Sequence, residues 1–343
     1  MDEKRFLDIV NGFDKVRIAV VGDIFLDRIF YIDRKLDEPS VETGLTAYQV
    51  ARRSCVPGAA GVVTNNLSAL RVGKIYALAL TGNDGEGFDL KKGLRETNVD
   101  TDYMVSDDSI FTPTYTKTFF DYEDRMEETH RIDIKNRRQT SRKTEERIIA
   151  NLKALEDKVD AFVCLEQIPN GACGVFTPRV IETLAEIGKN GKAGVFVDSR
   201  FHIADFHDVI VKCNDLEILR SAGFKVQEGE AHWRSVEDAM KQAGKDTSRP
   251  MFISCGELGM KVYTEGEVKT IRAFRVEGPV DICGAGDSAL TGIACALCAG
   301  ASLEEAALTG NLVASIIVEQ IGVTGTATRE KLIKRFQEYQ ERR

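Results

Sequence analysis

The sequence predicts a layered α/β fold with a mostly parallel central sheet and a small antiparallel sheet beside it. Two runs, VRIAVVGD at 16–23 and IYALALTG at 75–82, consist largely of apolar residues, as expected of strands buried on both faces. Helical spacing of apolar residues at 59–71 separates them. Such alternation of strands and helices is typical of parallel sheets covered by helices. The alternating stretch TPTYTKTFF indicates half-exposed strands of a second sheet.

The first half of the chain contains both kinds of segment. A helix is expected after Asp84. The segments 28–57 and 99–134 are predicted to form the small sheet, either as a simple hairpin insertion or as a lid over a site. No internal repeat or low-complexity linker divides the chain, so a single domain over 1–343 is expected.

The second half continues the alternation. A helix is expected over SRKTEERIIANLKALED, and Thr177 is suited to cap a helix that begins with Pro178. Ser302 and Glu305 form the pattern of a capping box, for a helix that reaches about Gln320. The charged tail REKLIKRFQEYQERR is expected to be a helix that presents a solvated outer face. Strands are expected at AFVCLE, at 194–198, at 208–213 and on both sides of the Gly turn in PMFISCGELGMKVYTEG.

Composition excludes several function classes. The 343 residues carry a net charge of −8, and an acidic chain repels phosphate backbones, so nucleic-acid binding is not expected. No apolar run is long enough for a transmembrane helix and the N-terminus has no leader pattern, which predicts a cytoplasmic protein without membrane contact. The eight cysteines lie mostly in apolar runs, which indicates reduced thiols; Cys295 and Cys298 fit core packing better than a metal site.

The segment Asp281-Ile-Cys-Gly-Ala-Gly-Asp287 carries the strongest chemical signal. Its glycines allow a tight turn, and a helical pattern follows at once, so backbone N–H groups at the helix start would form an anion hole. Asp287 would stand beside that hole. An anion hole next to a carboxylate suits phosphoryl transfer, with the carboxylate as base. The helix N-terminus is expected to lower the pKa of Asp287; the alternative is a simple helix cap.

The segment VDICGAGDSALTG resembles the signature of the ribokinase-like, phosphofructokinase-B-type sugar kinases. Four further segments resemble motifs of that family in the same order: VVGDIFLDR, VPGAAGVVTNNLSAL, VKCNDLE and ISCGELGMKVY. The resemblance implies a three-layer ribokinase-like fold. It also implies an ATP- and Mg²⁺-dependent kinase that transfers a phosphoryl group to a hydroxyl of a sugar-like substrate.

The resemblance also implies roles for individual residues. The catalytic set would be Asp287 with the amides of Gly284, Ala285 and Gly286. Asp27 would hold substrate hydroxyls, together with the segment of Gly58, Ala59 and Val62. Asn214 and Glu217 would orient water on Mg²⁺, or else form a helix cap. The residues bordering the nucleotide would be Ser254, Gly256, Gly259 and Asn311, the last alternatively a buried structural amide. The resemblance further implies that backbone carbonyls near Asp281 and Cys283 would hold a monovalent cation such as K⁺, as they do in many relatives.

Within that family the chain resembles the heptose-phosphate kinases of ADP-heptose synthesis most closely, through GDIFLDRIFY, PTYTKTFF, HRID and IIVEQIGVTGTAT. It departs from that subgroup at three positions, because Ala59 replaces Gly, Val62 replaces a substrate-binding Asn, and Cys283 replaces Thr. Asn65 or Asn66, one helical turn further on, could replace the missing amide.

The substrate pocket therefore has mixed features. Glu166 resembles a substrate-side residue of ribokinase, and Arg28, Arg52 and Arg53 could meet a substrate phosphate or could be solvated surface. The main alternative function is a non-catalytic sugar- or nucleotide-binding protein that kept the kinase fold. A Rossmann-type dehydrogenase is set aside because the first strand lacks GxGxxG. Lid strands of this family often pair between subunits, which makes a homodimer the expected partner state.

Overall fold

The computed structural model describes residues 1–122, 124–322 and 325–342, although for Asp246 it describes only the backbone. Parts of the predicted lid and of the IIVEQIGVTGTAT motif, at 123 and 323–324, lie outside the described residues.

The helices are α1 Glu3–Gly12, α2 Gly61–Ala69, α3 Gly85–Glu96, α4 Arg142–Glu156, α5 Pro178–Asn190, α6 Asp215–Ser221, α7 Gly229–Ala243, α8 Ala285–Cys298, α9 Leu303–Ile317 and α10 Arg329–Glu341. The strands are β1 Arg17–Gly22, β2 Ile24–Ile32, β3 Glu38–Pro39, β4 Thr46–Ala47, β5 Val50–Ala59, β6 Lys74–Leu78, β7 Leu80–Gly82, β8 Val99–Asp100, β9 Val105–Asp107, β10 Thr114–Asp121, β11 Met126–Ile134, β12 Ala161–Glu166, β13 Gly194–Ser199, β14 Ile210–Asn214, β15 Met251–Ser254, β16 Met260–Thr264 and β17 Glu267–Ile271.

A nine-stranded sheet forms the centre of the molecule. Its order is β17-β16-β15-β14-β13-β12-β1-β6-β8, with parallel pairing from β8 to β15 and antiparallel pairing at β16 and β17. The carboxyl ends of the parallel strands therefore meet at one edge, where loops can bring distant residues together.

Helices cover both faces of this sheet. Ile18 and Val20 of β1 point into a core shared with α1, α2, α8, α9 and α10, whereas Ala19 and Val21 point into a second core with α4 and α5. Alternate residues of a strand face opposite sides, which is why an unbroken apolar run such as 18–21 suits a strand covered on both faces. The predicted three-layer α/β fold is confirmed.

The small sheet is a four-stranded unit in the order β11-β10-β2-β5, hereafter the lid sheet. Its outer pairs are antiparallel, but β2 and β10 run parallel. Residues 99–113, predicted as part of this sheet, instead supply β8 to the large sheet and β9 to a pairing with β7. The run 75–82 accordingly divides after Leu78, because the chain leaves the large sheet there to pair with β9.

The predicted helix signals are confirmed at their caps. The Thr177 hydroxyl accepts a hydrogen bond from the N–H of Val180, and Ser302 with Glu305 forms a reciprocal capping box. The tail helix α10 is more buried than its charge indicates. Phe336 stacks on Phe6 of α1 with ring centroids 3.9 Å apart, so one face packs into the core and the opposite face is solvated.

The cysteines are free thiols, and most are buried, as predicted. Cys295 is fully buried on α8, and no cluster of three or more His, Cys, Asp or Glu side chains suited to a metal occurs among the described residues. In the described part of the chain, no helix has both the length and the apolar stretch needed to cross a bilayer.

Candidate active site

A glycine turn leads into α8 at the carboxyl edge of the large sheet. Gly284 caps the helix with a φ of 77°, a left-handed conformation that glycine adopts without strain. The Ala285 N–H donates to the Ile282 carbonyl at 3.2 Å, whereas in the described residues no hydrogen bond occupies the N–H of Gly284 or Gly286. Residues 284–287 are half-buried, and Ile282 and Cys283 are exposed, so the helix start is open to solvent.

Asp287 is the third residue of α8. Removal of its carboxyl group from water and, to a lesser extent, the neighbouring carboxylate of Asp198 raise the pKa of Asp287 to about 7, against the opposing charge of Lys212. The expected lowering by the helix N-terminus is therefore wrong: burial and like charge outweigh the helix dipole. No side-chain hydrogen bond to the Asp287 carboxylate occurs among the described residues, so Asp287 is free to accept a proton near neutral pH.

Lys212 and Asp198 were not predicted as site residues, yet they lie beside Asp287. The Lys212 Nζ is 2.7 Å from Asp198 Oδ2, and both side chains are almost fully buried. A Cβ on Gly286 would lie only 2.8 Å from the same Nζ, so the ammonium group lies directly behind the glycine turn. Burial alone would lower the pKa of Lys212, but the charges of Asp198, Asp287 and Glu217 raise it overall. Two features of the sequence could have identified these residues: Asp198 lies at the carboxyl end of a predicted strand, and Lys212 lies two residues before Asn214.

Asn214 and Glu217 form the reciprocal capping box of α6. The Asn214 side chain accepts from the Glu217 N–H, and Glu217 Oε2 accepts from the Asn214 N–H, both at 2.8 Å. Burial raises the pKa of Glu217, and the charge of Asp198 adds to that effect. The alternative that these residues form a helix cap is thus confirmed. The cap engages one carboxylate oxygen of Glu217, and the other oxygen has no protein partner among the described residues. A carboxylate and an amide held this way suit the water shell of a hard Mg²⁺ ion.

On the substrate side, Asp27 of β2 lies against Gly58 of β5. A Cβ on Gly58 would come within 2.1 Å of Asp27 Oδ2, so only glycine leaves room for this carboxyl group. Burial raises the pKa of Asp27 to about 6, partly offset by the charges of Lys117 and Arg131. The two predicted substrate residues are therefore in direct contact.

The segment after Gly58 contains Ala59 and Val62, two of the positions at which the sequence departs from the heptose-phosphate kinases. Ala59 has a φ of 52°, a left-handed conformation that costs a residue with a Cβ about 1 kcal/mol. Val62 is 95% buried in the first turn of α2, so it presents little surface to a ligand. Asn65 is half-buried and donates to the Pro57 carbonyl at 3.4 Å.

Asn66 has a structural role and cannot replace the missing substrate amide without breaking its contacts. Its Nδ2 donates to the Val62 carbonyl at 3.0 Å and to Ser288 Oγ at 3.1 Å, and its Oδ1 accepts from the Ala327 N–H at 3.0 Å. Asn66 thus ties α2 to the residue that follows Asp287. Of the two alternatives, only Asn65 remains available to a substrate.

Glu166 ends β12 in a buried network. Its carboxylate accepts from Ser199 Oγ and lies 2.9 Å from His202 Nδ1. Burial raises the pKa of Glu166, against the hydrogen bond from Ser199. Substrate contact at Glu166, which the resemblance implied, would require these two partners to give way, and it stays a prediction.

The arginines considered for a substrate phosphate have other partners. Arg28 Nη1 lies 3.0 Å from Glu86 Oε1, and Arg53 Nη1 lies 3.8 Å from Asp89 Oδ2, so both reach toward α3. The Arg52 guanidinium stacks 3.4 Å from the Tyr31 ring centroid. Arg28 and Arg53 thus lie on the face of the lid sheet opposite Asp27, and contact of these arginines with a substrate phosphate stays a prediction.

The predicted nucleotide residues lie around β15, β16 and α9. Ser254 ends β15, and its hydroxyl donates to the Cys213 carbonyl at 3.2 Å. Gly256 and Gly259 both have positive φ, and a Cβ on Gly259 would meet the Ile271 carbonyl at 2.1 Å. Asn311 is buried and donates to the carbonyls of Ile271 and Arg272, which is the structural alternative left open for it. Contact of these residues with adenine stays a prediction.

The loop before the glycine turn is closed by Asp281. Its carboxylate accepts from the N–H of Cys283 at 3.0 Å and of Gly322 at 3.1 Å, and these bonds lower the pKa of Asp281. A monovalent cation at the backbone carbonyls of this loop stays a prediction.

Solved structures share this architecture. The chain matches Arabidopsis thaliana ribokinase complexed with ribose and ATP at 17% identity, with 94% of this chain and 99% of that chain covered and a TM-score of 0.66. It matches phosphofructokinase-2 from Escherichia coli at 15% identity over 94% of this chain and 99% of that one, with a TM-score of 0.67. The fold is therefore that of the ribokinase-like proteins.

Sequence comparison gives the family. Residues 16–330 match the pfkB family of carbohydrate kinases, and the chain belongs to that family as a carbohydrate kinase. Curated relatives include the bifunctional protein HldE of Nitratiruptor sp., 26% identical over 93% of this chain, and that of Trichlorobacter lovleyi, 27% identical over 97%. The chain spans 64% and 65% of the length of these two relatives.

Proposed function

We propose that this kinase transfers the γ-phosphoryl group of ATP to a hydroxyl of a sugar or sugar phosphate, with Asp287 as the base. The observation that carries the proposal is the Asp287 carboxylate. It has no hydrogen-bond partner among the described residues, has a pKa raised to about 7, and lies in the first turn of α8 beside the open glycine turn.

The reaction proceeds by one in-line displacement. The acceptor oxygen forms a bond to the γ-phosphorus, the bond from that phosphorus to the ADP oxygen breaks, and the hydroxyl proton passes to the Asp287 carboxylate. The free N–H groups of Gly284 and Gly286 stabilise charge on the transferred group, since they are fixed before the reaction begins. The Ala285 N–H takes part once its 3.2 Å bond to Ile282 opens.

The remaining residues bind and orient the two substrates. Asp27 accepts hydrogen bonds from acceptor hydroxyls, and Asn65 is the nearby amide that can take the place left by Val62. Mg²⁺ bound with ATP would neutralise charge at the phosphates, and Asn214 and Glu217 would hold its water shell. Lys212 contributes a fixed positive charge behind the glycine turn. The resemblance to heptose-phosphate kinases makes heptose phosphates the first acceptors to test.

The test replaces the base. Asp287→Asn should lower kcat by about 10²- to 10⁴-fold, the usual contribution of a general base, while ATP affinity stays within a few-fold. In the unmodified kinase, kcat/KM should fall roughly tenfold per pH unit below about pH 7, because the base must be ionised. Asp238→Asn, at an exposed position of α7, is the matched control and should change neither value.

Two results would contradict the proposal. Substantial residual turnover in Asp287→Asn would remove Asp287 as the base. ATP binding without turnover of any sugar or sugar phosphate by the unmodified chain would favour the non-catalytic alternative. Dimerisation through the lid sheet, a cytoplasmic location and a K⁺ requirement stay predictions.

A further inference from the structure

Three cationic side chains from helices α3 and α4 meet beside strand β9. Lys91 Nζ of α3 donates to Ser106 Oγ at 2.7 Å, and Arg147 Nη1 of α4 donates to the Ser106 carbonyl at 2.8 Å. Because both side chains bind the same residue, their nitrogens lie at most about 10 Å apart. Arg95 lies one helical turn after Lys91, and its Nε donates to Thr101 Oγ1 at 2.8 Å. Lys91, Arg95 and Arg147 are hereafter called the β9 cations.

The β9 cations face away from the lid sheet. On α3, Glu86 and Asp89 bind the lid-sheet arginines Arg28 and Arg53. Lys91 is two residues beyond Asp89, which places it about 200° around the helix axis. The β9 cations therefore belong to a surface distinct from the acceptor site on the lid sheet.

The protein supplies no countercharge to the β9 cations. In the described part of the chain, none of the three forms an ion pair with a carboxylate, and their hydrogen-bond partners are neutral oxygens. Other cations of the same two helices are paired, Lys92 with Glu96 at 3.9 Å and Arg142 with Glu146 at 3.1 Å. The chain as a whole carries a net charge of −8, so a group of unpaired cations does not follow from its composition.

The two carboxylates near these cations are already engaged. Asp84 accepts hydrogen bonds from both the N–H and the hydroxyl of Thr112. Asp107 accepts from the hydroxyl groups of Ser109 and Thr144. Neither carboxylate can turn toward the β9 cations without breaking these bonds.

The positive charges of this group therefore repel one another. Burial lowers the pKa of Lys91, and the charges of Arg95 and Arg147 lower it further, against the opposing charge of Asp84. A bound anion would remove this repulsion, since it would be attracted by all three side chains at once.

We propose that the β9 cations bind a small anion that carries a phosphate group, at a site separate from the active site. Arginine presents a planar fork that matches two phosphate oxygens, and lysine adds a point charge. Lys91 is half-buried and the two arginines are exposed, so a small ligand can reach all three. Three cations on an acidic chain suit one phosphate group rather than a nucleic acid, which needs a longer basic surface. The inference does not depend on the proposed kinase mechanism.

Calorimetric titration of the full chain with inorganic phosphate and with glycerol phosphate, at constant ionic strength, tests the inference. Lys91→Gln and Arg147→Gln should each weaken phosphate binding by about 10- to 100-fold, the usual effect of losing one charged hydrogen bond. Lys92→Gln and Arg142→Gln, on the same helices, are the matched controls and should change binding by less than twofold. Tighter binding of inorganic phosphate would identify the free anion as the ligand, and tighter binding of glycerol phosphate would identify a phosphate ester; either result supports the site.

Three results would overturn the inference. Equal phosphate binding in all variants would assign the anion to another site, such as the glycine turn. No binding of either probe up to about 10 mM would remove the site. Displacement of phosphate by an equal concentration of chloride would show an adventitious ion only.

Thermal unfolding separates anion binding from a structural role of Lys91. Phosphate should raise the unfolding temperature of the unmodified chain and should have little effect on Lys91→Gln. In phosphate-free buffer, Lys91→Gln should unfold at the same or a higher temperature, because the replaced charge is repelled by its neighbours. If Lys91→Gln instead unfolds at a lower temperature, Arg147→Gln, at an exposed position, decides the inference by its effect on phosphate binding.

Discussion

The contact between Gly58 and Asp27 makes a sharp prediction for one added methyl group. In Gly58→Ala the new Cβ would lie 2.1 Å from Asp27 Oδ2, 2.4 Å from Cγ and 2.7 Å from Oδ1. Ordinary contact begins at 3.4 Å, so the carboxyl group must move by more than 1 Å. Displacement of a substrate-orienting group by about 1 Å is enough to cost on the order of 100-fold in rate. We therefore expect kcat/KM for the acceptor to fall by about 100-fold.

Steady-state kinetics with acceptor and ATP varied separately measure this effect. KM for ATP should stay within about threefold, because the lid sheet does not contain the predicted nucleotide residues. Gly85→Ala is the matched control, since a Cβ there meets open space at the first residue of α3. Thermal unfolding of both variants checks that the loss is local. Acceptor kcat/KM within threefold of the unmodified kinase in a folded Gly58→Ala protein would refute the assignment of Asp27 as the acceptor residue.

Two further predictions concern stability. Ala59→Gly should raise the free energy of unfolding by about 0.5–1 kcal/mol, because glycine adopts the left-handed φ of 52° without strain. Urea titrations measure this change, and an unchanged or lower free energy of unfolding would contradict the prediction. The pKa values of Asp23 and Asp287 are raised to about 7 and that of Asp27 to about 6, so the folded state binds protons more tightly than the unfolded state. These three carboxyl groups should stabilise the folded state most below about pH 4, and their contribution should be lost as the pH rises from about 4 to 7, between the unfolded and the folded pKa values. Asp23→Asn, which keeps an oxygen for the N–H groups of Gln167 and Ile168, should flatten this fall, and an unchanged slope would show that Asp23 does not cause it.

Local patterns in the sequence determined much of the fold. The apolar run of β1, the cap at Thr177 and the capping boxes at Asn214 and Ser302 depend on residues close together in the chain, so periodicity and spacing are enough to predict them. The glycine turn before α8 was predictable for the same reason, since Gly284 and the helical pattern after it are contiguous. The motifs then placed Asp27 and Gly58 in one site, and the structure brings them into direct contact.

Only the tertiary structure decided how these residues behave. The helix start alone would lower the pKa of Asp287; burial, together with the approach of Asp198 from another strand, raises it. Arg28 and Lys117 look alike in the sequence, but strand register turns the first toward α3 and the second toward Asp27. Asn65 and Asn66 are adjacent, yet packing buries Asn66 against Ser288 and leaves Asn65 half-exposed. The burial of a side chain, its electrostatic environment and its orientation depend on residues distant in the chain, and for that reason no local pattern in the sequence contains them.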